Sequence, residues 1–133
     1  MNFIPVRLHV KKHPEAMGRF NAQWTPTILI LDSNGTERHR IEGYLPVDEF
    51  LVQLNIGLAR AAFGANQFDK AEQIYRGIMD RYPNSEFAPE AQYWAGVSRY
   101  KGSNDAAALK KTADAFKNRY SETSWAKKAS IWA

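Results

Sequence analysis

The feature that most constrains the fold is an internal repeat in the C-terminal half of the chain. Adding 38 to each residue number aligns Arg81–Trp94 (RYPNSEFAPEAQYW) with Arg119–Trp132 (RYSETSWAKKASIW) without a gap. Five of the 14 aligned positions are identical. Self-similarity at a period of roughly 20 to 50 residues is typical of solenoids built from stacked helix pairs. We therefore expect this half of the chain to fold as an array of helical hairpins.

Apolar spacing and terminus signals predict the helices of this array. The first should occupy residues 46–63, because Pro46 can open a helix and the apolar residues that follow recur at helical spacing. Short polar turns favour antiparallel packing of the helices that follow. These are expected at about 68–82, 89–101, 105–119 and from 124 onward.

The N-terminal part has the pattern of a small sheet. Residues 4–10 alternate apolar and polar side chains and predict a strand, and a short helix should begin at Pro14. The run PTILILD predicts a strand from about Thr27 that is covered on both faces. The turn Ser33–Gly35 should join it to a hairpin partner at about 36–43.

Composition excludes several classes of function. The 133 residues contain no cysteine, which excludes disulfides, thiolate nucleophiles and cysteine-bound zinc from this chain. Residues 1–47 contain six Lys and Arg against four Asp and Glu, and the rest of the chain contains twelve against ten. Such a small, evenly distributed excess of positive charge does not form the basic stripe that nucleic-acid binding requires. No membrane-spanning run or signal-peptide layout occurs, so we expect no membrane contact and a cytoplasmic location.

No pattern of catalytic or ligating residues stands out. His9, His13 and His39 lack metal-binding spacing and are expected to be surface or strand-face residues. The sequence has no Gly-rich phosphate loop, nucleophile elbow or HExxH motif. We therefore predict no catalytic residue, no metal and no cofactor. The lysine pairs, Lys110/Lys111 among them, are expected on solvated faces.

YRGIMDRYPNSEFAPEAQYWAGVSRYKG resembles a bacterial-type tetratricopeptide repeat of the kind seen in periplasmic Tol-system coordinator proteins. In that repeat, small residues lie where paired helices touch, an aromatic residue packs one turn later and a proline closes the second helix. Ala71, Gly96, Tyr75 and Pro83 match these positions. The resemblance covers residues 68–102 and is weaker beyond them.

Residues 3–54 resemble the C-terminal portion of a thioredoxin fold. The order is strand, short helix, Thr-Pro-Thr strand, Asn-Gly hairpin, strand and helix. In thioredoxins the proline of that motif, here Pro26, is cis, faces the CxxC motif and lies in a loop that binds the substrate backbone. The resemblance therefore implies a cis Thr25–Pro26 bond. The central strand of the family, which lies between the two strands predicted here at 4–10 and from Thr27, is absent from this sequence together with the CxxC motif.

Together these features predict an α+β or α/β fold. Residues 1–47 should form a partial thioredoxin-like unit with about three strands in a mixed sheet, and residues 48–133 tetratricopeptide-like hairpins, with helix 46–63 shared. Because loss of a central strand exposes backbone edges, we hypothesise two alternatives. Either the chain is a fragment of a longer protein, with the periplasm as an alternative compartment, or it forms a homodimer whose second copy completes the sheet.

The predicted function is non-catalytic binding of a protein or peptide. Solenoids present concave surfaces to peptides, and Tyr93 and Arg99 are the candidate groove residues. Thr25 and Pro26 are candidates through the thioredoxin resemblance. The alternative is that the chain is a fragment of a thioredoxin-family thiol-disulfide oxidoreductase whose CxxC half is absent. In a third interpretation, the sheet only caps the end of the solenoid and has no binding function of its own.

Overall fold

A computed structural model describes residues 3–133 and shows a mixed, mostly helical α+β architecture. Each helix from residue 47 onward matches a predicted one, with ends that differ by no more than a few residues. In chain order the elements are α1 (Pro14–Arg19), β1 (Thr27–Leu31), β2 (Glu37–Glu42), α2 (Val47–Gly64), α3 (Phe68–Arg81), α4 (Ala88–Ser103), α5 (Ala107–Asn118), α6 (Ser124–Ala129) and a 3-10 turn (Ser130–Trp132). Within residues 3–133, no helix combines the length and the hydrophobicity that a membrane span requires.

The predicted hairpin is confirmed. β1 and β2 pair antiparallel, with Ile28 opposite Ile41 and Ile30 opposite His39. Gly35 takes a φ of +78° in the connecting turn, a conformation that glycine adopts without a steric penalty. The Asp32 carboxylate accepts hydrogen bonds from the backbone N–H groups of Asn34 and Thr36, both at 2.9 Å. These bonds, the one from Thr36 foremost, lower the pKa of Asp32.

The prediction of a third strand at residues 4–10 is wrong. Within residues 3–133 the sheet has two strands and is purely antiparallel. Residues 3–9 form no regular element, and Ile4 and Val6 are 94% and 78% exposed. A strand needs a hydrogen-bonded neighbour, and the central strand that would provide one is not in the sequence.

The prediction that β1 is covered on both faces fails at the end of the strand, although Leu29 in its middle is half-buried. Ile30 is buried on the face that packs against α2, whereas the side chain of Leu31 is exposed. The apolar run of β1 is therefore fully covered on one face only. A sheet of two strands with one helix packed on it cannot bury both faces.

Helix α2 packs against both the sheet and the helical array. A Cβ on Gly57 would lie 1.9 Å from Cδ1 of Ile30, so the glycine allows α2 to approach β1 closely. Val52 and Ile56, on another face of α2, are fully buried in the core cluster that includes Tyr75 of α3. Helix α2 thus contacts both parts of the chain. The domain boundary at residues 47 and 48 and the sharing of helix 46–63 stay predictions.

The helices that follow stack as hairpins with the expected small residues at their contacts. Ala71 is fully buried, and Gly96 of α4 lies directly against Thr112 of α5. The repeated Arg-Tyr pair links the second hairpin to the first. A guanidinium N–H of Arg119 donates to the Met79 carbonyl at 3.0 Å, and the hydroxyl of Tyr120 donates to the Pro83 carbonyl at 2.7 Å.

Candidate binding site

A cleft of about 350 Å³ lies between α3, α4 and α5. Its walls include Met79 from α3, Gly96 from α4 and Ala108 from α5. The absence of a side chain at Gly96 lets α4 lie directly against Thr112 of α5, so this glycine is both in the wall of the cleft and at the contact between the two helices.

Three cationic side chains line the cleft, one from each helix: Arg76, Arg99 and Lys111. Glu72 accepts from Nε of Arg76 at 2.7 Å and lies 3.9 Å from a guanidinium nitrogen of Arg99. Among residues 3–133 Lys111 takes part in no ion pair, and Asp105 is the one carboxylate in the lining. The cleft therefore has a net positive charge even when Glu72 is included.

The two groove residues predicted from the sequence lie on different faces of α4. Arg99 lines the cleft with its side chain 59% exposed. The ring of Tyr93 stacks on Trp132, with centroids 4.9 Å apart, and contacts Trp125 at 5.1 Å. Six helical residues turn through about 600°, which places the two side chains roughly 120° apart around the axis.

The Thr25–Pro26 bond is cis, as the thioredoxin resemblance implied. The carbonyl of Pro26 accepts from the N–H of Gly43 at 2.8 Å, which joins the loop to the end of β2. A second hollow of about 290 Å³ is lined by Met17, Gln23, Trp24 and Thr25, and Trp24 is 65% exposed. No residue of this hollow belongs to the lining of the cleft between α3 and α5, so the structure presents two separate candidate surfaces.

Arg76 and Lys111 were not predicted as site residues. Lys111 was expected on a solvated face, and its side chain is exposed, but it lines the cleft together with Ala108, Thr112 and Ala115. These residues are three, four and seven positions after Ala108, so all four lie on one side of α5. That spacing was the sequence signal from which this wall of the cleft could have been predicted. The residues of α3 and α4 that face α5 across the cleft could be identified only from the way these helices pack in the structure.

A buried polar cluster connects the sheet to the helices. His39 of β2 is 8% exposed, and its Nε2 lies 2.6 Å from Oε1 of Gln53. A guanidinium N–H of Arg60 donates to Nδ1 of His39 at 2.9 Å, and a second donates to Glu90 of α4, also at 2.9 Å. Because arginine can only donate, Nδ1 accepts and Nε2 carries the proton that His39 donates to Gln53.

The pKa of His39 is lowered, chiefly because burial disfavours the charged imidazolium. The nearby Arg60 guanidinium lowers it further, whereas the hydrogen bond to Gln53 acts in the opposite direction. The neutral ring is therefore the form that fits this site.

Comparison with known proteins identifies two segments. Residues 2–56 match a thioredoxin-like domain, and residues 52–85 match a tetratricopeptide repeat. The matched repeat covers most of α2 and all of α3, and so begins one helix before the stretch 68–102 from which the resemblance was inferred. The two matches overlap within α2, the helix that packs on both the sheet and α3.

Two curated relatives share a short segment with this chain. Both are named cell division coordinator CpoB, one from Pseudomonas putida strain KT2440 and one from Pseudomonas putida. Each is 50% identical over 36 residues, which is 26% of this chain and 13% of the relative's length. No solved structure matches the chain. The chain thus carries a thioredoxin-like domain followed by a tetratricopeptide repeat.

Proposed function

We propose that this chain is a non-catalytic module that binds a protein or peptide segment in the cleft between α3, α4 and α5. The observation that carries the proposal is the cationic lining, with one positive side chain from each of the three helices. The tetratricopeptide match, and the name of the relatives as coordinators, support a role in partner binding.

The charge of the lining favours an acidic segment. Glu72 already neutralises part of the charge of Arg76 and Arg99, so the amine of Lys111 is the group most available to a ligand carboxylate. Met79 and Ala108 add apolar surface to the same cleft. A ligand with acidic side chains beside small apolar ones fits this combination.

Replacing Lys111 with glutamate should weaken binding of an acidic peptide about three- to tenfold, since reversing one exposed charge changes the interaction by about 1 kcal/mol. The measurement is fluorescence anisotropy with a fluorescein-labelled peptide of alternating Glu and Ser. A peptide of alternating Lys and Ser should bind more weakly to the wild type and gain affinity for the variant.

The neighbouring Lys110 provides a matched control. It is exposed on the same helix but does not line the cleft, so Lys110→Glu makes the same change in net charge outside the site. If both variants weakened binding equally, a non-specific effect of net charge would explain the result and the cleft would not be the site.

The Thr25–Pro26 loop supports a second candidate function. Its hollow and the exposed Trp24 offer a place for an extended peptide backbone, as the thioredoxin resemblance implies. In a longer parent with a CxxC motif, the same loop would serve a thiol-disulfide oxidoreductase. Because these 133 residues have no cysteine, we expect no insulin reduction by this chain, and turnover in that assay would contradict its non-catalytic assignment.

A further inference from the structure

The hydroxyl groups in the wall of the cleft between α3, α4 and α5 are already hydrogen-bonded within their own helices. Ser103 donates to the backbone carbonyl of Arg99, and Thr112 donates to that of Ala108, both at 2.8 Å. Neither hydroxyl proton is left for a ligand and the Gln92 side chain is buried, so the well-exposed side-chain donors of the lining are its three cations. The cleft therefore favours a charged carboxylate over a neutral amide or hydroxyl group.

The two arginines of the cleft share one largely buried carboxylate, that of Glu72 in α3. Its side chain is 14% exposed, and Nε of Arg76 donates to it at 2.7 Å from one turn along the same helix. The guanidinium of Arg99, on α4, lies 3.9 Å from the other carboxylate oxygen, which is beyond hydrogen-bond distance. Arg76 is therefore hydrogen-bonded to Glu72, whereas Arg99 is only attracted to it.

The side chain of Arg99 can leave this position at little cost. It is 59% exposed, and an ion pair of this length made by an exposed guanidinium is weak. Lys111 lines the same cleft from α5. A ligand carboxylate between α4 and α5 can thus be bound by Lys111 from one wall and, once Arg99 turns away from Glu72, by Arg99 from the other.

We propose that Arg99 binds the ligand carboxylate together with Lys111, and that Glu72 limits the affinity by competing with the ligand for Arg99. This inference rests on the function proposed above, because it concerns the same cleft and the same acidic ligand. Arg76 stays with Glu72 and keeps its carboxylate beside Arg99. A ligand must offer Arg99 a stronger acceptor than Glu72 does, which favours segments with several neighbouring carboxylates over those with one.

Glu72→Gln tests the competition, since the amide keeps the shape of the side chain but removes its charge. The variant should bind the fluorescein-labelled peptide of alternating Glu and Ser about two- to fivefold more tightly than the wild type. This gain should disappear when Arg99→Gln is also present and persist when Arg76→Gln is present instead. A peptide with Gln in place of Glu should show no gain.

Asp80→Asn is the matched control for the loss of one negative charge. Asp80 is exposed on the same helix as Glu72 but does not line the cleft, so its replacement makes the same change in net charge outside the site. We expect it to leave the affinity for the acidic peptide close to that of the wild type. Circular dichroism checks that each variant keeps the helical fold.

Nuclear magnetic resonance of the wild type adds a measurement that needs no substitution. In proton–nitrogen correlation spectra of the arginine Nε–H groups, the acidic peptide should shift the signal of Arg99 more than that of Arg76, whose N–H donates to Glu72. A larger shift for Arg76 would contradict the proposal, because that arginine would then be the one that binds the ligand.

The binding data separate failure of this inference from failure of the proposed function. If the wild type did not bind the acidic peptide, the proposed function would be wrong and the inference with it. If the wild type bound but Glu72→Gln gained no affinity, or gained as much with Arg99→Gln as without it, only the competition would be refuted. An equal gain for Asp80→Asn would also overturn it, because net charge would then explain the result.

Discussion

Replacing Gly96 with alanine should lower the free energy of unfolding by about 1–3 kcal/mol, although alanine is the better helix former. A Cβ at this position would lie 1.9 Å from Oγ1 and 2.7 Å from Cβ of Thr112. Rotating the Thr112 side chain can move its oxygen but not its Cβ, so α4 and α5 would have to separate. Separation would weaken the packing between them and widen the cleft that they form.

Gly77 provides the control for this substitution. It lies inside α3, and a Cβ there would meet nothing closer than the end of the Arg81 side chain at 3.4 Å. Gly77→Ala should therefore stabilise the protein by about 0.5–1 kcal/mol through helix propensity alone.

Urea unfolding followed by circular dichroism compares the two glycine variants. Adding Thr112→Ala to Gly96→Ala should recover part of the loss, because it removes the hydroxyl and methyl groups nearest to the new Cβ. If Gly96→Ala were as stable as the wild type, the close contact between α4 and α5 would not exist in solution.

The helices could be predicted from the sequence because their signals are local. The period of 38 residues, the apolar spacing and residues such as Pro46 determine the helices from 47 to 129 with small errors at the ends. The β1–β2 hairpin was predictable for the same reason, since the Asn-Gly turn and its flanking strands lie within 16 residues, 27–42.

Whether a third strand forms and where the cleft lies both depend on partners that are distant in the sequence. Residues 4–10 have the pattern of a strand, but that pattern does not show whether a neighbour is present to pair with it. The cleft depends on which faces of α3, α4 and α5 meet. The sequence indicated Arg99 but could not show that Tyr93 turns instead towards Trp125 and Trp132.

Replacing His39 with alanine should lower the free energy of unfolding by about 2–4 kcal/mol at neutral pH. The imidazole fills space between β2 and α2, and both of its nitrogens are hydrogen-bonded. Its loss would leave the buried amide of Gln53 without this partner and would also leave a cavity. The N–H of Arg60 that points towards the ring would lose its acceptor.

The same histidine should make the stability depend on pH. The pKa of His39 is lower in the folded protein than the ordinary value of about 6.5 expected for the unfolded chain. Below that ordinary value the unfolded state binds more protons, so the free energy of unfolding falls as the pH drops towards the folded pKa. Above about pH 7 the ring is neutral in both states and its contribution is constant.

Urea unfolding between about pH 5 and 8 separates this effect from that of the carboxylates, because the lowered pKa values of Asp32 and Glu37 act in a more acidic range. The wild type should lose stability towards pH 5, whereas His39→Ala should be nearly independent of pH. His13→Ala, which alters a half-exposed side chain before α1, should keep the wild-type profile. If His39→Ala retained the full decrease, the pH dependence would arise elsewhere and the ring would not be held neutral by its burial between β2 and α2.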